Sequence, residues 1–392
     1  MRNRPSNRRK KEAAATKKRI LTLFLAGMLL LTSGCASLLN RSFLSVTPHV
    51  EHEVAGTDPS ILRVETYRSL VSAVQYCVSR GASGSEIRLY DYTRDVEKDL
   101  TAACLEVIQN DPLAAYAVDY MKHTVTRILS YYKVDLSIIY RRTPEQIGSI
   151  VNATGSSAIR AELSETLAEF RPEAVLRIGD FSEDAAYIQG LVSEAYRDTP
   201  SAAFGEPSCH ITLYPDRGKQ RIVELTLTYP QEVTQLKEKS VQMQAAAQKI
   251  VDEVSRAGTE NLTERLFAAL RKKAAYRTDT ATCGIPYGAL VEGAADSQGL
   301  ALGLALLQET ADLPHTVAAG RDKNDKPRYW NIVITPEGPR HLDPTRSTYE
   351  TFTDAEFYQM GFRWDAGYYP ACGDPIPEEA GAATEEEKGR IP

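Results

Sequence analysis

Three short matches recur along the chain in one order and at nearly one spacing. RLYDY (88–92) resembles RIGDF (177–181), NDPLAA resembles DTPSAA, and VDLSIIY resembles VELTLTY. They align Asp91 with Asp180, Pro112 with Pro200 and Tyr140 with Tyr229, at offsets of 89, 88 and 89 residues. A constant offset over three matches implies two copies of one supersecondary unit. Each copy reads as a helix (ETYRSLVSAVQYCVSRG; AIRAELSETLAEF), a short strand near Asp91 or Asp180, and a second helix ending before the proline. A β-type run closes each unit, and in the second copy it is a hairpin turning at PDRG. Two repeated α+β modules follow, over about 60–150 and 151–237. His123 and His210 stand alone at strand starts within them and read as structural.

The N-terminus has a different character. Nine Lys or Arg and one Glu fall within residues 2–19, followed by the uncharged run ILTLFLAGMLLLTSG. A basic segment, a short apolar segment and small residues make a signal peptide, and fifteen uncharged residues are short for a membrane span. The run ends in LTSGC, which resembles the bacterial lipobox. That resemblance implies removal of residues 1–34 and lipidation of Cys35, which places the chain on the extracytoplasmic face of a cell membrane. Removal of the leader takes the formal charge from −6 to −14. So acidic a chain has no footprint for nucleic acid, and it is held off anionic lipid by its tether. Residues 35–59 read as a linker and 376–392 as an acidic disordered tail.

Five further cysteines, Cys77, Cys104, Cys209, Cys283 and Cys372, match no zinc spacing, so neither a metal nor another cofactor is expected. Cys77 and Cys104 lie in apolar helical patterns and read as buried thiols. Pairing among the five stays open.

From Glu238 two helical segments, KSVQMQAAAQKIVDEVSRA and NLTERLFAALRKKAAY, lead to AADSQGLALGLALLQ. Asp296 or Ser297 can cap the helix that begins there, and Gly299 and Gly303 let a neighbouring element approach it closely. PYGALVEGAADSQGLALGLALLQ, LPHTVAAG, RYWNIVI, HLDPT and FRWDAGYYPAC follow in order. Residues 238–375 thereby resemble the transglutaminase-like superfamily of papain-like folds, which includes many bacterial envelope proteins. The resemblance implies a cysteine nucleophile at the helix start, a histidine on the His-Ala-Trp-Asn strand and an aspartate on the Asp-Pro-Thr strand. In this chain those positions hold Ser297, Arg328 and Asp343.

A serine needs a base to take its proton, and a guanidinium remains protonated at physiological pH. The resemblance therefore implies a non-catalytic domain. It would bind a peptide or cell-wall component in a cleft lined by Tyr329, Trp330 and Asn331, or hold an envelope assembly together. Arg328 facing Asp343 implies a structural ion pair or a cation presented to a carboxylate or glycan ligand, with Ser297 left as a helix cap. An active acyl transferase or protease using Ser297, His341 and Asp343 is the alternative, because His341 and Asp343, two apart, share a strand face. Cys283, fourteen residues before Ser297, and His315 are weaker substitutes. A third reading makes the paired α+β units the partner-binding part and the C-terminal domain only a cap.

Overall fold

The computed structural model describes residues 61–256, 258 and 260–376. The leader, Cys35 and the linker to residue 59 lie outside the described residues, as does the tail from 377 onward. Among the described residues no helix is long and apolar enough to cross a membrane.

The first unit runs β1 (Ile61–Val64), α1 (Tyr67–Ser79), β2 (Gly84–Tyr90), α2 (Val96–Asn110), α3 (Pro112–Ala117), β3 (Val118–Ile128) and β4 (Tyr131–Tyr140). Thr66 and Ser69 form a capping box that starts α1. Leu70, Ala73, Val74, Cys77 and Val78 then fall on one helical face and are buried. That face meets the alternating Ile87 and Leu89 of β2 and Val134, Leu136 and Ile138 of β4 in one core. The sheet order is β1-β2-β4-β3, with β1 parallel to β2 and the other pairs antiparallel.

The second unit runs α4 (Pro144–Gly148), β5 (Val151–Ala153), α5 (Gly155–Ala168), β6 (Glu173–Ile178), α6 (Ala185–Asp198), β7 (Ser208–Tyr214) and β8 (Arg221–Thr228). Its sheet order, β5-β6-β8-β7, has the same pattern of one parallel and two antiparallel pairings. Asp91 and Asp180 both take left-handed backbone, with φ of 49° and 53°, a conformation that Asp tolerates better than most residues. Each unit opens on a short parallel strand, β1 or β5, that the sequence pattern does not reveal. The two units touch where Tyr116 and Ala117 of α3 pack on Val175 and Ile222 of the second sheet. Beside this contact Arg142 pairs with Glu224 at 2.6 Å.

The C-terminal part comprises α7 (Val233–Ser255), α8 (Leu262–Lys273), β9 (Ala275–Tyr276), β10 (Ala294–Ala295), α9 (Ser297–Thr310), β11 (Thr316–Arg321), β12 (Pro327–Thr335), β13 (Gly338–Leu342) and α10 (Asp354–Gln359). β11, β12 and β13 form an antiparallel sheet. α7 begins at Val233, five residues before the sequence pattern suggests.

α9 is buried on all sides from Leu300 to Gln308. Ala301, Leu302 and Ala305 enter the core under the second sheet, while Leu300, Leu304 and Leu307 pack against α7 and α8. Each fully buried leucine contributes roughly 2 kcal/mol of transfer free energy. One core therefore runs across residue 237, where the sequence pattern changes. Close approach at the helix start requires Gly299, because a Cβ there would lie 2.1 Å from the Cys283 carbonyl oxygen and 2.9 Å from that of Ile285. The mixed α+β class agrees with the observed elements.

Candidate functional site

The start of α9 is held by Asp296, whose extended backbone (φ −85°, ψ −167°) makes it the N-cap. Its Oδ1 accepts from the backbone N–H groups of Gln298 at 2.8 Å and Gly299 at 3.0 Å. Ser297 is thus the first helical residue and not the cap, which corrects that part of the sequence reading. Ser297 is buried, and its Oγ accepts from the backbone N–H of Tyr329 at 3.4 Å. Among the described residues no basic side chain hydrogen-bonds this oxygen.

The positions implied for the other two members of a triad do meet. Arg328 on β12 places Nη2 3.0 Å from Oδ2 of Asp343, just beyond β13. The same nitrogen donates to Oγ1 of Thr345. Oδ1 of Asp343 accepts from Thr345 N at 2.9 Å and from Thr345 Oγ1 at 2.7 Å, so both carboxylate oxygens are engaged. Tyr276 covers the outer side, its hydroxyl 3.4 Å from Arg328 Nη1 and its ring centroid 5.7 Å from the guanidinium carbon. The side chains of Arg328 and Asp343 are 18% and 6% exposed. Arg271 lies nearby: burial lowers its pKa, and the Asp343 charge opposes that shift. Thr345, Tyr276 and Arg271 were not singled out in the sequence. Only Thr345 had a signal, as the third residue of the Asp-Pro-Thr run.

His341 is not a substitute base. It is fully buried, with Trp330 Nε1 donating to its Nδ1 at 2.9 Å, which leaves the proton on Nε2 to meet Asp354 Oδ1 at 2.8 Å. Its ring stacks on Phe357 of α10 at 4.6 Å. Burial lowers its pKa, with Asp354 acting the other way, so the imidazole is neutral and both nitrogens are committed.

Trp330 and Asn331 line no cleft. Both are fully buried, Trp330 among Phe357, Phe362 and Trp364, and Asn331 donating through Nδ2 to the Ala301 carbonyl at 2.9 Å. The sequence identifies the strand correctly but not the layer that covers it. Tyr329 is half-buried and packs at the edge of the core under the second sheet.

His341, Asp354 and Cys372 form the group among the described residues whose donor atoms lie within 4.8 Å of one another. They do not fit a metal ion. The imidazole has no free lone pair, Asp354 Oδ2 accepts from Cys372 N at 2.9 Å, and burial pushes the Cys372 thiol up to about 12. All five described cysteines are free thiols.

Cys283, distant from Ser297 in sequence, is brought against the helix start, where Asp296 N donates to its carbonyl at 2.9 Å. Burial first, and then the Asp296 carboxylate, raise its thiol pKa. A nucleophile requires the opposite shift.

No protein-family model matches the sequence, and neither does a curated protein. Among solved structures, a crystal structure of a TGase resembles the chain at 12% sequence identity, over 63% of this chain and 71% of that chain, with a TM-score of 0.24.

Proposed function

We propose that the chain is a lipid-anchored envelope protein, tethered through Cys35, whose transglutaminase-like region performs no acyl transfer. In this reading the C-terminal region is a rigid mount for the two sheet units, and the protein holds an envelope assembly together. The observation that carries the reading is the Arg328–Asp343 pair, which together with Thr345 commits both oxygens of the carboxylate that would orient a catalytic base. Ser297 faces a backbone donor, and His341 is bonded within a different layer. The burial of Trp330 and Asn331 favours a mount over a ligand cleft at this place. The common strand order of the two sheets, with Asp91 and Asp180 in the same backbone conformation, supports treating them as copies of one module.

The test is incorporation of a fluorescent primary amine into casein by the purified protein, alongside partition of the full chain into detergent. No incorporation is expected, and Cys35→Ala abolishes partition. Incorporation that disappears in Ser297→Ala overturns the non-catalytic reading, and partition that survives Cys35→Ala overturns the anchor.

A further inference from the structure

A second site lies away from Ser297, where α6 meets the edge of the C-terminal sheet and the Tyr-Tyr-Pro segment. A cavity of about 390 Å³ opens there, walled by Arg160, Glu194, Arg197, Asp198, Tyr368 and Tyr369. Its volume falls in the range of small-molecule pockets. Four of the six are engaged with one another. Arg160 reaches Glu194 at 3.5 Å, Asp198 at 3.3 Å and the Tyr368 hydroxyl at 3.0 Å.

Arg197 is different. It is half-buried, yet among the described residues its guanidinium makes no hydrogen bond and no ion pair within 4.0 Å. Its charge is felt by Asp198 beside it and by the half-buried Tyr329 and Tyr369. The Tyr369 hydroxyl accepts from Ala319 N at 3.0 Å and keeps its own proton for donation. Position in the last turn of α6 gives Arg197 a favourable helix dipole. That role does not require a guanidinium that lines a cavity beside two tyrosines with no hydrogen-bonded protein acceptor.

We propose that this cavity binds the free carboxylate of an amino acid or short peptide, gripped by Arg197 with the Tyr369 hydroxyl as second donor. Guanidinium and carboxylate match in a two-point geometry. The acidic Glu194 and Asp198 on the same wall disfavour a phosphate dianion and leave room for the ammonium of a zwitterion. The site is independent of Ser297, and its readout is binding rather than acyl transfer, so an active or an inert helix start leaves the test unaffected.

The experiment is calorimetric titration of the folded protein with alanylalanine, with alanylalanine amide, and with inorganic phosphate as competitor. The dipeptide is expected to bind, the amide at least tenfold more weakly, and phosphate is not expected to compete. Arg197→Met is expected to lower affinity at least tenfold, and Tyr369→Phe, which keeps the ring packing, several-fold. Absence of dipeptide binding at 10 mM, on the order of the weakest specific affinities, overturns the proposal. So does equal binding of the amide, effective competition by phosphate, or unchanged affinity in Arg197→Met with the melting curve preserved.

Discussion

The Arg328–Asp343 pair permits a quantitative test of whether the cleft is a structural joint. Asp343→Asn keeps the shape of the side chain and the acceptor for Thr345 N, but leaves a guanidinium that is 18% exposed without its counter-charge. Breaking a buried pair from one side costs 3–5 kcal/mol in general. Partial exposure and the remaining bond to Thr345 place this case near the lower end, at about 3 kcal/mol. Arg328→Met removes the other partner and leaves Asp343 bonded to Thr345, for a loss of about 2 kcal/mol. In the double variant neither charge is stranded, and the total is about 3 kcal/mol, giving a coupling of about 2 kcal/mol. The assay is urea denaturation followed by tryptophan fluorescence. The chain's two tryptophans, Trp330 and Trp364, share one C-terminal cluster, so the signal reports on the region that contains the pair. A coupling below about 0.5 kcal/mol refutes the joint and returns Arg328 to the list of ligand-binding candidates.

Three further outcomes follow from the same region. His341 is held neutral by burial, so its folded pKa lies below the unfolded value of about 6.5. Stability is complete above that value and falls as pH drops through the folded pKa, so the urea midpoint should decline below about pH 6 and decline less in His341→Gln. Gly299→Ala should cost at least 1–3 kcal/mol, because the new Cβ meets backbone oxygen at 2.1 Å, whereas Gly303→Ala meets a side chain at 3.1 Å and should cost less; thermal denaturation separates the two. Asp296→Asn removes a charge that raises the Cys283 pKa, so alkylation of Cys283 by iodoacetamide at pH 7.5 should be faster in the variant, and an unchanged rate counts against the contact.

Legibility in the sequence followed the length and regularity of each signal. α1 and α9 combine a polar start with a long apolar pattern, and both are found where the pattern places them. β1 and β5, with four and three residues, are too short to display a period, and parallel pairing to a later strand gives them no adjacent turn to mark them. The order of Ser297, Arg328 and Asp343 was readable, because the motifs are contiguous. Which of Asp296 and Ser297 caps the helix was not, because both residue types cap well and one backbone angle decides. The fate of Trp330 depended on α10 and on Phe357, Phe362 and Trp364, which lie far along the chain and cover the strand only in three dimensions.

The proposed non-catalytic reading of this helix start does not rest on one residue. Attack by a hydroxyl or thiol there requires a proton acceptor, an orienting carboxylate and free backbone donors for the anion that forms. Arg328 supplies donors only, so no proton can leave Ser297 by that route. Asp343 has Oδ2 committed to Arg328 and Oδ1 to Thr345, so in this chain neither oxygen is left to orient a base, and only loss of the guanidinium at position 328 would release Oδ2. The N–H groups of Gln298 and Gly299 are already bonded to the Asp296 carboxylate, which places a negative charge where an oxyanion would need a positive field. Each of the three requirements fails through a separate residue. Ser297→Cys with Arg328→His therefore restores the side chains of a triad without its electrostatics. The thiol introduced at the helix start by that double substitution should alkylate no faster than an ordinary exposed thiol, unless Asp296→Asn is added as well.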